Sequence, residues 1–144
     1  MTQSTAYAAL LLRIALGAMF IAHGLLKLLV FTPAGTVGFF ESLGMPGWFA
    51  YSTMGAELIG GVLLVLGVQA RAVSLALLPV LIGSIVLVHG ANGWLYTNEN
   101  VGWEYSEILI VASLAQALFG NGAFSLSRVL GSNRSASPAF GVTA

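Results

Sequence analysis

Four long apolar stretches divide this chain, and most of its ionisable residues fall inside them or at their ends. The stretches are 7–30, 48–68, 72–90 and 103–119. A helix that crosses a bilayer needs about 20 mostly apolar residues, the length these stretches approach or exceed. Lipid offers the backbone no hydrogen bonds, so each stretch is expected to be helical. None shows the roughly ten-residue alternating rhythm of a membrane barrel strand. Composition agrees: 58% of residues are hydrophobic and only 7% charged. Such a chain cannot wet a soluble surface. The expected fold is an all-α integral membrane protein, a four-transmembrane-helix antiparallel bundle.

The 144 residues suit one domain. Residues 1–130 read as the membrane domain, and 131–144, rich in Ser, Pro, Gly and Ala, as a disordered cytoplasmic tail. Met1 to Ala6 lacks the positive charge of a signal peptide, so the first stretch reads as a retained membrane helix. Pro79 is expected to kink the third stretch. Gln69-Ala70-Arg71 makes a tight hairpin between the second and third. In the longer connection, Thr32 caps a short helix with Pro33 at its first position and Gly44 past its end. Val37, Phe40 and Leu43 would share one face of that helix, over the bundle mouth. Ala91–Gly102 reads as a loop, and Ser125 as the cap of a short interfacial helix through Leu130.

Four spans put both termini on one side, with Arg13, Arg71, Arg128 and Arg134. Lys27, Glu41, Glu99, Glu104 and Glu107 fall on the other. The excess of arginine marks the cytoplasmic side, so both termini are expected in the cytoplasm, with the protein in a bacterial inner membrane. Trp48, Trp94 and Trp103, with Tyr96 and Tyr105, then lie at the outer interface as an aromatic belt.

His23, Lys27, Glu57, His89 and Glu107 gather in the outer half of this arrangement and are the candidate ligand-binding residues. His23 and Lys27 are four apart on one helix face, and Glu104 and Glu107 three apart on another. Glu57 is the only charge in its span and too short to reach water. It is expected to face the bundle and pair with Lys27 or a histidine. The plain alternatives are a register-setting ion pair, a snorkelling Lys27 and satisfied bundle histidines. Glu104 is a solvated residue at a helix start, where the dipole favours an anion. A charge inside a membrane is nevertheless a functional candidate by default. The first and third spans each carry His-Gly near the outer end, and the second and fourth each carry Glu followed by two aliphatics. Two like-oriented hairpins related about the membrane normal would produce such a pattern.

Several chemistries are excluded. There is no cysteine, hence no disulfide and no thiolate metal site. There is no aspartate for a Ser-His-Asp set and no Glu-x-x-His pair for a di-iron bundle. No Walker motif, dinucleotide fingerprint or basic patch for nucleic acid is present. No metal is expected, and two histidines alone do not argue for haem. What remains is a proton-capable pocket of Glu, His and Lys beside aromatic rings, suited to a quinone headgroup.

The order of motifs resembles the DoxX family of small four-helix membrane proteins. The similar segments are Leu12-Arg13-Ile14-Ala15-Leu16-Gly17, His23-Gly24 with Lys27-Leu28, and Phe39 through Leu43-Gly44-Met45-Pro46. They continue with Glu57-Leu58-Ile59-Gly60-Gly61, Leu66-Gly67, and Glu107-Ile108-Leu109 through Gly122 to Phe124-Ser125-Leu126. Members of this family are named after the small subunits of a terminal quinol oxidase and of thiosulfate:quinone oxidoreductase. The resemblance implies a quinone-associated or accessory subunit of an inner-membrane oxidoreductase complex, with quinone, lipid and a redox protein as partners. No catalytic residue is assigned. A small proton-coupled transporter using the same cluster, or a structural membrane partner without its own activity, is the rival expectation.

Overall fold

The structure is a computed structural model that describes residues 2–127 and 129. Arg128, Leu130, Arg134 and the expected tail 131–144 lie outside the described residues. Five α-helices form, with no strand among the described residues. They are α1 (Gln3–Leu25), α2 (Pro33–Ser42), α3 (Trp48–Leu66), α4 (Ala70–Ser84) and α5 (Glu104–Phe119). Two of them continue into a wider π-helical turn, α1 through Leu26–Val30 and α4 through Ile85–His89. Helix α1 packs on α3, α3 on α4, α4 on α5 and α5 back on α1, which closes a ring.

Polarity is inverted relative to a soluble protein. Arg13, Glu57, Ser74, Ser113 and Gln116 are buried, while Leu118 is 80% and Ile59 65% exposed. A largely apolar outside that encloses several buried polar side chains fits a lipid solvent. Among the described residues three helices are long and apolar enough to cross a membrane: Gln3–Val30, Trp48–Leu66 and Ala70–Asn92. This is an all-helical membrane protein. The fourth expected span, 103–119, is a helix of 16 residues, Glu104–Phe119, and is not among these three. It rises only about 24 Å against a hydrocarbon core of about 30 Å.

Glycine sets how closely α1 and α3 approach. A Cβ on Gly17 would sit 2.7 Å from the Gly61 carbonyl, and one on Gly61 2.8 Å from the Gly17 carbonyl. Backbone cannot yield as a side-chain tip can, so both positions require glycine. Leu16, Phe20, Leu64, Leu77 and Leu81 fill the centre of the ring. Pro79 lies inside α4, where it removes one hydrogen bond of the helix ladder.

The α1–α3 connection matches the sequence expectation, whereas α4 starts at Ala70, inside the expected hairpin Gln69-Ala70-Arg71, and the Ser125 hydroxyl, expected as a cap, has no partner among the described residues. Thr32 Oγ1 accepts from Gly35 N at 3.2 Å, Pro33 opens α2, and Gly44 beyond its end has φ +78°. Gly67 ends α3 at φ +69°. The α3–α4 hairpin is tied down by the later chain: Asn121 Oδ1 accepts from Ala70 N and Ser127 Oγ from Gln69 N. Arg13, 1% exposed, donates through Nη2 to the carbonyls of Ala123 and Phe124. A cation and two capping contacts thus fasten the segment after α5 to the middle of α1 and the start of α4.

Candidate functional site

One end of the ring opens into a cavity of about 790 Å³. Its wall combines α1, α3, α4 and α5, and α2 lies across it through Thr36, Phe39 and Phe40. Apolar side chains, phenylalanine, leucine and methionine foremost, make most of the surface; His23, Lys27, Glu57, His89 and Tyr105, with hydroxyls such as Thr36, Ser84 and Ser106, supply the polar groups.

The Lys27–Glu57 ion pair is central. Lys27 Nζ donates to both carboxylate oxygens, at 2.7 and 2.8 Å. The carboxylate side chain is 5% exposed and the lysine 21%. The wide turn explains how Lys27 is held. In an α-helix Phe31 N would bond the Lys27 carbonyl; here it bonds Leu26 O at 3.0 Å instead. The freed Lys27 carbonyl lies 3.1 Å from Thr36 Oγ1, whose single proton it shares with the Thr32 carbonyl at 2.9 Å. That bond links the widened turn to α2, so the helix over the cavity and the cation inside it share one support.

Both histidines are fixed by the same device. His23 Nδ1 lies 2.8 Å from the Met19 carbonyl, and His89 Nδ1 2.9 Å from the Val101 carbonyl. A carbonyl only accepts, so each Nδ1 carries the proton. Each neutral ring is left with Nε2 as an acceptor. His23 stacks on Tyr105, with centroids 5.9 Å apart and planes at 26°. The Tyr105 hydroxyl donates to Met19 Sδ at 3.6 Å. Across the cavity the Ser84 and Ser106 hydroxyls are 3.3 Å apart.

Four of the five expected site residues therefore share one cavity: His23, Lys27, Glu57 and His89. Glu107 stands apart. Its Oε2 accepts from the indole Nε1 of Trp94 at 2.7 Å, and it does not line the cavity. Glu104, also outside, caps the loop by accepting from Tyr96 N. Tyr105, expected only as a belt aromatic, is part of the wall. Its place between two glutamates at a helix start gave a hint, since positions 104 and 107 face away from it. Thr36 and Ser106 carried no sequence signal.

The comparisons with known proteins follow the same residues. The DoxX family model matches residues 8–90, more than half of the chain, including most of α1, all of α2 to α4, and His23, Lys27, Glu57 and His89 of the cavity. The chain belongs to the DoxX family. It is 36% identical over 121 residues to a Bacillus subtilis (strain 168) protein named "Putative oxidoreductase CatD", covering 84% of this chain and 85% of that one. No solved structure matches.

Proposed function

We propose that this protein is a quinone-associated subunit of an oxidoreductase complex in the bacterial inner membrane, and that the headgroup sits in the 790 Å³ cavity. The observation that carries the reading is the wall itself. It is mainly apolar, with a few convergent polar groups, and its volume falls in the range of about 300–1,000 Å³ typical of small-molecule sites. A quinone carbonyl accepts hydrogen bonds, which Lys27 can donate; a quinol hydroxyl donates them, which the two Nε2 atoms can accept. Both forms thus find partners, beside groups able to exchange protons. The oxidoreductase name of the Bacillus subtilis relative supports the same class.

In this reading α5 is the fourth span of an antiparallel bundle, completed by the residues that flank it, with residues 1–130 as one membrane domain. Both termini face the cytoplasm, which turns the cavity toward the outer leaflet. Arg13 and Arg71 support the orientation by lying at the end opposite the cavity. The native chain has no cysteine, so labelling is clean. Cysteine at Thr97 is expected to react with an impermeant thiol reagent in intact cells, and cysteine at Thr2 only after lysis. The reverse pattern would turn the cavity inward.

Binding itself is tested with a short-tailed quinone analogue titrated into detergent-purified protein while tryptophan fluorescence is followed. Trp48 reports because it stacks on Phe49, a wall residue, at 4.0 Å. Saturable quenching is expected, and His23→Ala should weaken it by about 1–3 kcal/mol, the worth of one hydrogen-bonding group in a buried site. Absence of saturation, or equal affinity in His23→Ala and the Lys27→Met/Glu57→Leu double variant, would leave the structural reading ahead.

A further inference from the structure

At the end opposite the quinone cavity lies a second, smaller hollow of about 330 Å³, lined by Arg71, Asn121, Ser125 and Ser127 with the Phe119–Gly122 turn. Its polar groups are unevenly satisfied. Asn121 and Ser127 cap the start of α4. Ser125 is 2% exposed, yet its Oγ has no partner among the described residues. Behind it, Arg13 is buried with Nε and Nη1 equally unpartnered among the described residues. The two are close: a Cβ built on Gly67 would collide with the Arg13 guanidinium and lie 2.8 Å from Ser125 Cβ. Neither arginine has a carboxylate partner among the described residues. None of the five acidic residues, Glu41, Glu57, Glu99, Glu104 and Glu107, belongs to the surrounding segments.

One hydroxyl group thus lines a hollow edged by an exposed cation and lies near a second, buried cation, with no acidic side chain among the described residues to balance them. We propose that this hollow binds a phosphate group, with Arg71 as the accessible fork, Ser125 as a hydroxyl donor and Arg13 as the charge behind it. Arginine and hydroxyl donors match phosphate oxygens in geometry as well as charge. A basic hollow between helix ends at this depth fits a phosphodiester headgroup, and inorganic phosphate carries the same oxygens.

The test measures the unfolding temperature of the full chain in a phosphate-free sugar detergent. Sodium phosphate is compared with sodium chloride at equal ionic strength, and phosphatidylglycerol with a neutral diacylglycerol of the same chains. Phosphatidylglycerol is expected to raise the unfolding temperature, and its half-saturating concentration to rise about tenfold in Arg71→Gln or Ser125→Ala. A matching rise with inorganic phosphate supports recognition of the phosphate group itself; a rise with the lipid alone supports it as a headgroup site. Arg71 is exposed, so its variant folds as wild type does. No rise with either anion, or the same rise in both variants, overturns the proposal.

Discussion

Lys27→Met is expected to lower the stability of the purified protein by about 3–5 kcal/mol, the usual result of stranding one partner of a buried pair. Glu57→Gln should cost less. The difference follows from the unequal burial of the two groups. The Glu57 side chain is 5% exposed in the middle of α3 and has no stem on which to reach water. Lys27 is 21% exposed near the end of α1 and carries a long apolar stem that can turn its ammonium toward the interface. The double variant Lys27→Met/Glu57→Leu should recover most of the loss, because apolar side chains of similar volume replace a buried pair at little cost. Denaturant or thermal unfolding in one detergent would measure all four proteins. Additive single effects would show that the 2.7 Å contact contributes no coupling. The double variant also separates stability from function: it should fold and fail to bind the quinone analogue.

That Glu57 faces the bundle and pairs was legible because depth can be counted along apolar helices and lipid forbids a lone charge, but the sequence left its partner open between Lys27 and a histidine. The bounds of α2 were legible from Thr32, Pro33 and Gly44, whereas α1 starts at Gln3, α3 stops at Leu66 and α4 starts at Ala70, each a few residues from the expected limits. Other parts were not. Glu107 has the spacing of a bundle-facing residue, but Trp94 holds it, and Trp94 sits in a loop whose path no periodicity records. The widened turns at Leu26–Val30 and Ile85–His89 leave no composition signal. The first depends on Thr36 taking up a carbonyl nine positions earlier, which is a tertiary event. The cavity exists because α2 lies across the ring, and amphipathic pattern alone does not say which way a short helix folds back. Arg13 was read as a charge in the inner half; its partners are carbonyls more than a hundred residues later.

Gly67→Ala is expected to be among the most damaging single-methyl changes in the chain, and Gly44→Ala is its control. Both glycines have left-handed backbone, with φ +69° and +78°. An L side chain in that conformation costs about 1–2 kcal/mol wherever it occurs. Around Gly44 nothing lies within 4 Å, so Gly44→Ala should show that strain alone. Around Gly67 the new methyl would meet the Arg13 guanidinium. Arg13 cannot move without leaving the Ala123 and Phe124 carbonyls, at 2.9 and 3.0 Å. Hydrogen bonds to a charged group contribute about 1.5–3 kcal/mol each, so the total loss should reach roughly 4 kcal/mol or more. The coupling can be isolated. In an Arg13→Met background the guanidinium collision is gone, and Gly67→Ala should cost less, keeping the strain seen at Gly44 plus the 2.8 Å contact with Ser125 Cβ. Equal losses at the two glycines in the native background would mean that the guanidinium does not pack against the α3–α4 hairpin. The anchoring of the chain after α5, and with it the charge behind the phosphate hollow, would then need another explanation.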